Sequence, residues 1–382
     1  MFLVLEKITN INYEMLKWAR EQAHFSIDEV SSRIKLDIID VEQGKLPLNY
    51  SELKKLADLY RKPLVVFFLP QPPIMKDVNA SCRTIPSKVY NDLSSNIVKM
   101  IDNARVKQIS LNELNNGKNI NIYKFLLIKE YYDNPSKIRK MIGLTDEQQL
   151  KIKKDSDFFS HLRDLLFEIG IYVFKDSFND EEVSGFCIYD DQFPVIMINN
   201  NNTFTRQVFT LFHELHHLLK GISGIDFLND ERLNYTTNKS NYEEEVLSNK
   251  FAAEVLMPKS KVNELFNHQE DINEFDISRV ASKFKISREV LTIQLYTLNL
   301  LSSVEASTLL SKFRQDHKRI KKDKDGGSYY SNQISYLGDK YINLAFSKYY
   351  KGDITSKNLT SYLGMNLKST RTLAEFKGWG SI

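Results

Sequence analysis

The segment Phe212–Leu218 constrains this chain more than any other feature, because it contains the pattern HExxH between apolar residues. Four residues advance an α-helix by about 400° and about 6 Å, so His213 and His217 project from one face and can bind the same metal ion. Two histidines on an otherwise apolar helix need a partner, since buried polar groups without one cost free energy. The motif therefore predicts a zinc site on a helix.

Glu214, next to His213, is predicted to take part in the chemistry rather than to bind the metal. A zinc ion brings the pKa of a water molecule down to about 7 and polarises a carbonyl group. Glu214 can hold that water and take its proton, which makes it the candidate catalytic base. The pattern thus indicates hydrolysis, with the peptide bond as the expected substrate group.

A catalytic zinc usually has three protein ligands, so a third ligand is expected from elsewhere in the chain. The segment 242–256 is a predicted helix that ends before Pro258. One face of this helix is shared by Glu245, Ser248, Asn249 and Ala252. Small residues on this face allow close approach to the HExxH helix. We favour Glu245 as the third ligand, with Glu244 second, whereas His268 stands in a polar, surface-like setting.

Two other residues near these positions receive different roles. Glu243 belongs to a glutamate triplet at the start of a helix, where negative charge is favoured by the helix dipole, and we expect it to face solvent. His216 points about 100° away from His217 around the helix. We therefore expect His216 to be a neighbour that supports the site rather than a ligand.

The segments around the motif predict an α+β fold with a small sheet. Strand candidates are residues 169–174, 185–189 and 195–198. The HExxH helix is predicted from Thr205 to about Lys220, and Gly221 stands where a helix ends. At the N-terminus, Ser26 followed by Glu29 is typical of a capping box that opens a helix.

The composition favours a cytoplasmic protein that neither crosses nor binds a membrane. Of the 382 residues, 42% are hydrophobic and 26% are charged, which is typical of globular proteins. The only cysteines, Cys82 and Cys187, are far apart, which excludes a disulfide framework and suits a reducing compartment. The apolar N-terminal stretch is interrupted by Glu6 and is too short for a signal peptide, and no apolar run could span a bilayer.

Several stretches together resemble the ImmA/IrrE-type zinc metallopeptidases. The most specific are Phe209–Leu215 and Asn249–Pro258. Further matches are Cys82–Thr84, Ser184–Phe186, Pro194–Ile196 and Asn199. The resemblance implies a minimal zincin fold of the gluzincin kind, with His213 and His217 as zinc ligands, Glu214 as general base and Glu245 as third ligand. His216 stands where this family usually has glycine.

The N-terminal stretches Leu16–Arg20, Ser26–Val30 and Glu42–Lys45 resemble a helix-turn-helix of the xenobiotic-response-element repressor type. This resemblance makes DNA a candidate partner. However, only Asp37–Val41 separates Leu36 from Glu42, which is about three residues short for a recognition helix. Residues 1–75 contain ten basic and ten acidic residues, whereas DNA phosphates attract an excess of positive charge. The other interpretation is a helical domain for protein binding or dimerisation.

Two further segments have the character of nucleic-acid contacts, although we favour other interpretations. Residues 277–281 and 286–290 are similar to a second helix-turn-helix, which we interpret as a helical cap beside the substrate cleft. The basic run His317–Lys322 is typical of a solvated linker.

The sequence thus predicts an α+β protein of four regions. They are a helix-turn-helix-like domain (1–75), a helical connector (76–165), a zincin metallopeptidase domain (166–302) and a helical C-terminal region (303–382). The C-terminal region includes a charged linker at residues 316–328. No motif stands out in the C-terminal region.

Two functional hypotheses follow from this organisation. The first is a Zn2+-dependent endopeptidase that regulates transcription or a toxin system by cutting a repressor- or toxin-like protein. The second is a non-proteolytic regulator or antitoxin that binds a protein partner or DNA. Intact His213, Glu214 and His217 favour the first hypothesis, and the sequence is compatible with oligomerisation.

Overall fold

A computed structural model describes residues 7–8, 10–71, 93–180, 182–227, 239–267, 271–319 and 328–380. These residues form nineteen α-helices and one four-stranded sheet, which confirms the predicted α+β class. The chain divides into two compact units, residues 1–102 and 103–382. The predicted match at Cys82–Thr84, the alternative ligand His268 and linker residues 320–327 lie outside the described residues. The predicted domain boundaries stay predictions.

The first unit is a helical module with its own core. It contains α1 (Tyr13–Gln22), α2 (Ile27–Ile34), α3 (Ile38–Glu42), α4 (Tyr50–Tyr60), a 3₁₀ turn (Leu64–Phe68) and the start of α5 (Ser95–Leu114). The predicted capping box is confirmed, because Ser26 Oγ accepts from the Glu29 amide at 3.2 Å and the Glu29 carboxylate accepts from the Ser26 amide at 2.9 Å. Helix α3 has five residues, which agrees with the short segment seen in the sequence.

Helices lead into the sheet of the second unit. They are α6 (Ile122–Lys129), α7 (Pro135–Met141), α8 (Asp146–Lys151) and α9 (Asp155–Glu168). The strands are β1 (Tyr172–Asp176), β2 (Val183–Ile188), β3 (Val195–Asn199) and β4 (Gly224–Phe227), in the order β1-β3-β2-β4. Strands β1 and β3 are parallel, whereas β2 pairs antiparallel with both β3 and β4.

Two features of the sheet differ from the sequence prediction. Strand β1 begins at Tyr172 and not at Ile169, because Ile169 still caps α9 and Gly170 adopts a left-handed φ of 85°. Strand β4 is not predicted from the sequence. This strand has only four residues, and its pairing with β2 brings together parts of the chain that are far apart in sequence.

Helix α10 (Phe204–Lys220) packs between the sheet and α11 (Lys239–Leu256). Its apolar side chains Leu211, Leu215 and Leu218 are fully buried in the core of this unit. Burying one such side chain stabilises a fold by about 1.5–3 kcal/mol, so this core fixes the position of the helix. The predicted stop at Gly221 is confirmed, since this residue has a left-handed φ of 76° and donates to carbonyl groups of the last turn.

The remaining helices follow α11 in the chain. They are α12 (Lys259–Phe266), α13 (Glu274–Phe284), α14 (Arg288–Thr297), α15 (Ser303–Arg319), α16 (Tyr329–Leu337), α17 (Asp339–Tyr350), α18 (Ser356–Leu363) and α19 (Leu367–Phe376). None of the helices in the described part of the chain is both long and apolar enough to cross a membrane.

Candidate metal centre

The HExxH residues lie in the most deeply buried stretch of α10. Thr203 caps this helix by accepting a hydrogen bond from the Arg206 amide. The exposed fraction is 1% for His213, 0% for Glu214 and 3% for His217. Burial of three ionisable groups is costly unless each finds a partner, so their surroundings define what the site can bind.

The two imidazoles of His213 and His217 converge with the carboxylate of Glu245 on α11. The Nε2 atoms of His213 and His217 are 3.1 Å apart. Glu245 Oε2 lies 3.0 Å from His213 Nε2, and Glu245 Oε1 lies 3.5 Å from His217 Nε2. The structure thus brings together three groups that the sequence analysis selected from two separate segments.

These three groups fit a zinc ion. Ligand atoms about 2.1 Å from a tetrahedral zinc are about 3.4 Å from one another, which is close to the three separations in this cluster. His, His and Glu are also ligands that zinc prefers in catalytic sites. Within the described ranges, this is the only group of three or more His, Cys, Asp or Glu side chains that could hold a metal ion.

Asn249 orients the first imidazole for metal binding. Its Oδ1 lies 3.0 Å from His213 Nδ1. An amide oxygen can only accept a hydrogen bond, so Nδ1 of His213 carries the proton. The lone pair of a neutral His213 is therefore on Nε2, which faces His217 and Glu245. Partners of this kind commonly fix the tautomer of metal-binding histidines.

The neighbouring Glu244 is engaged elsewhere. Its carboxylate forms an ion pair with Lys220 and lies 3.6 Å from His216 Nδ1. The hydroxyl of Ser248 donates to the Glu244 carbonyl oxygen and lies 2.9 Å from His216 Nδ1, so it accepts the His216 proton. His216 thus links α10 to α11 without joining the cluster, while Glu245 contacts both of the other histidines.

The carboxylate of Glu214 is buried beside this cluster. Neither of its oxygens has a nitrogen or oxygen hydrogen-bond partner within the described part of the chain, and the buried thiol of Cys187 lies beside it. Burial raises the pKa of Glu214 to about 8, and the charge of Asp226 adds to this, while His213 opposes it. A divalent cation nearby would lower this pKa again by favouring the charged form. The unpaired carboxylate is therefore free to hold a water molecule or a proton.

The charges around the cluster favour a cation. Burial alone would lower the pKa of His213, but the negative charges of Asp226 and Glu245 raise it to about 9. Burial alone would raise the pKa of Glu245, but hydrogen bonds from His213 and His217 hold it well below its usual range. The His213 imidazole thus attracts a proton at the point where a metal ion would supply positive charge instead.

Strand β4 contributes two groups that the sequence analysis missed. Asp226 accepts hydrogen bonds from Arg206 at 2.8 Å and from Thr210 at 3.0 Å, which fastens β4 to α10. A Cβ atom at Gly224 would lie 2.9 Å from the His217 ring, so this position has no room for a side chain. Arg206 and Thr210 are one turn apart on the motif helix, and this spacing is the signal that could have pointed to a shared acidic partner.

This combination of a buried His-His-Glu cluster, an unpaired glutamate and a small sheet is typical of a metal-dependent hydrolase. Residues 168–296 match the family model described as the IrrE N-terminal-like domain, Peptidase M78. The matched range includes the whole sheet together with α10 and α11, and it supports a metallopeptidase. No curated protein and no solved structure gives a match to the chain.

Proposed function

We propose that this protein is a zinc-dependent endopeptidase of the gluzincin kind that acts in regulation by cutting a repressor- or toxin-like protein. The observation that carries this proposal is the convergence of Glu245 with the two imidazoles, at 3.0 Å from His213 and 3.5 Å from His217. The family match over residues 168–296 supports the same class of reaction.

In this proposal, His213, His217 and Glu245 hold the zinc ion. Bound zinc supplies an acidified water and a positive charge that polarises the scissile carbonyl. Glu214 takes the proton of the attacking water and passes it to the departing amine. The position of Glu214 supports this role, because its carboxylate is buried beside the proposed zinc ligands and a bound cation would keep it charged and able to accept a proton.

The free edge of β4 is the proposed place for the substrate backbone. Among the described residues, β4 pairs with β2 alone, and Gly224 lies against the His217 ring. An extended peptide that adds to this edge would hydrogen-bond through its main chain and pass the metal cluster. Main-chain recognition of this kind requires an extended, locally unfolded segment in the substrate.

The test is proteolysis of a peptide library by the wild type and by Glu214→Gln, with new termini identified by mass spectrometry. Glutamine cannot take a proton, so we expect cleavage to fall by at least about 100-fold. Zinc content should stay near one ion per chain, because Glu214 is not a proposed ligand. Glu243→Gln is the matched control, since Glu243 is exposed and outside the cluster.

Two outcomes would overturn the proposal. One is equal cleavage by the wild type and Glu214→Gln, which would place the reaction elsewhere. The other is stoichiometric zinc in the wild type without any cleavage of the library or of full-length repressor and antitoxin-type proteins. That second result would support a non-proteolytic regulator that binds a protein partner.

A further inference from the structure

The net positive charge of this chain lies in its C-terminal helices. Residues 328–382 contain seven basic and three acidic residues, whereas residues 1–327 together carry a formal net charge of −1. Three of the seven basic side chains form ion pairs: Lys340 with Glu168, Lys348 with Asp353 and Lys377 with Asp339. The other four are Lys351, Lys357, Lys368 and Arg371, and all four are exposed.

These four cations have no acidic partner in the part of the chain that the structure describes. Lys357 lies on α18, Lys368 and Arg371 lie on α19, and Lys351 caps the C-terminus of the preceding helix, α17. Uncompensated charge on a surface raises the local concentration of anionic ligands. The position of these charges in the fold therefore indicates what kind of anion the surface fits.

Helices α18 and α19 form a compact two-helix motif. Helix α18 ends at Leu363, Gly364 turns the chain with a left-handed φ of 66°, and α19 begins at Leu367 after its cap Asn366. Helix α17 packs against α18, and α18 packs against α19. The buried side chains of the three helices include Phe346, Leu359, Leu363, Leu373 and Ala374. Two helices joined by three residues with a glycine are typical of a helix-turn-helix.

The first half of α19, which a recognition helix uses for base contacts, exposes polar side chains together with Leu367. Lys368 and Arg371 are exposed in its first half, with the hydrogen-bonding residues Ser369 and Thr372 beside them. The opposite face is buried through Thr370, Leu373 and Ala374. In a helix-turn-helix, the N-terminal part of the second helix contacts base edges and the first helix crosses the phosphate backbone.

Two other helix pairs lack these properties. In the first unit, the five-residue α3 presents Ile39 and Asp37 to solvent. On α14, Arg288 lies 3.8 Å from Glu274 and 3.3 Å from Asp316, so its charge is compensated. The α18–α19 pair therefore differs from both because its second helix is full-length and itself carries exposed, unpaired cations.

We propose that α18 and α19 form a binding surface for double-stranded DNA, with α19 in the major groove. Lys368 and Arg371 contact the bases and adjacent phosphates, while Lys351 and Lys357 contact the phosphate backbone next to α18. The surface lies outside the region of the family match, at residues 168–296, and does not depend on peptidase activity.

The test uses the full-length protein and a fluorescein-labelled 25-base-pair duplex of mixed sequence, followed by anisotropy between 50 and 200 mM salt. Wild-type binding is expected with a dissociation constant of about 10⁻⁴–10⁻⁶ M, typical of binding without sequence preference. Lys368→Glu with Arg371→Glu should weaken binding by at least about tenfold. The slope of log affinity against log salt concentration should also become shallower by about two, because two phosphate contacts are lost. Zinc content and circular dichroism should match the wild type.

The matched control is Lys54→Glu with Lys55→Glu, the same charge change at two exposed positions of α4. This control should keep wild-type affinity to within about twofold. Equal losses in the two double variants would overturn the proposal, because net charge rather than this surface would then cause binding. Failure of the wild type to bind at 50 mM salt would also overturn it. So would stronger, Lys368-dependent binding to vesicles with one-quarter phosphatidylserine.

Discussion

The pair α10–α11 and the pair α18–α19 carry polar side chains at helical spacing in opposite environments. On α10, His213 and His217 are at most 3% exposed, and Asn249 and Gly224 lie against their rings. On α19, Lys368 and Arg371 are exposed and have no ion-pair partner within the described residues.

The buried and the exposed environment determine how each type of site can be recognised. A buried polar cluster persists only if its groups are compensated, so its geometry points directly to a ligand of matching charge and size. An exposed cation costs nothing to leave alone, and it points to a ligand only when the charge excess and the fold coincide. A substitution that changes one ligand atom should therefore abolish binding at the first site, whereas loss of binding at the second site requires reversal of several charges.

The largest effect is expected from Glu245→Gln, because it removes the carboxylate from the buried cluster. An amide is a much weaker zinc ligand, so we expect zinc affinity to fall by more than about 100-fold, beyond the loss seen when only a supporting hydrogen bond is removed. The measurement is a zinc titration against a competing chelator. Glu244→Gln is the matched control, since Glu244 pairs with Lys220 and is not a proposed ligand. Greater zinc loss from Glu244→Gln would exchange the roles of the two glutamates.

A smaller effect is expected from Asn249→Ala, which leaves all three proposed ligands in place. The substitution removes the acceptor 3.0 Å from His213 Nδ1, so the ring loses its fixed orientation and tautomer. Zinc affinity should fall by about 10–100-fold. The same titration measures this change, with Asn263→Ala on α12 as a control away from the cluster. An affinity equal to that of the wild type would mean that the surrounding core alone holds the ring.

Local patterns made the first site predictable from the sequence. The HExxH spacing defines one face of one helix, and Gly221 marks its end, so α10 could be predicted almost to the residue. The choice of Glu245 followed from the face it shares with Ser248 and Asn249, and both of these residues do contact α10 histidines. These inferences needed only the helical period, which local sequence determines.

The rest depends on contacts between distant parts of the chain. Strand β4 exists because four residues pair with β2, and the residues before Gly224 give little indication of this. The surface on α19 was missed for a related reason. A count of lysines cannot tell that Lys377 is paired with Asp339 while Lys368 is unpaired, because ion pairing depends on the folded arrangement.

The smallest effect is expected from substitution of Lys175 on β1, a buried cation that can be compared with the exposed cations of α19. Its side chain is 5% exposed, and its Nζ lies 3.6 Å from the centre of the Phe159 ring. Burial lowers the pKa of Lys175 to about 6, and the charge of Arg163 adds to this. We compare Lys175→Met with Lys368→Met, which makes the same change on the exposed face of α19.

The native pKa of Lys175 lies below the value of about 10.4 expected in the unfolded chain, so between these values the native state binds fewer protons. The free energy of unfolding of the wild type therefore rises with pH between about 6 and about 10. Below about pH 6, burial of Lys175 destabilises the native state by its full amount. At pH 6.5, Lys175→Met should be more stable by at least about 1 kcal/mol, because the buried amine is mostly neutral there whereas the lysine of the unfolded chain keeps its proton. Urea unfolding at pH 6.5, 8 and 9.5 should show this gap closing as the pH rises, while Lys368→Met follows the wild type throughout. A gap that stays constant with pH would mean that Lys175 keeps its proton in the folded protein, and that the aromatic ring compensates a buried cation as fully as water compensates an exposed one.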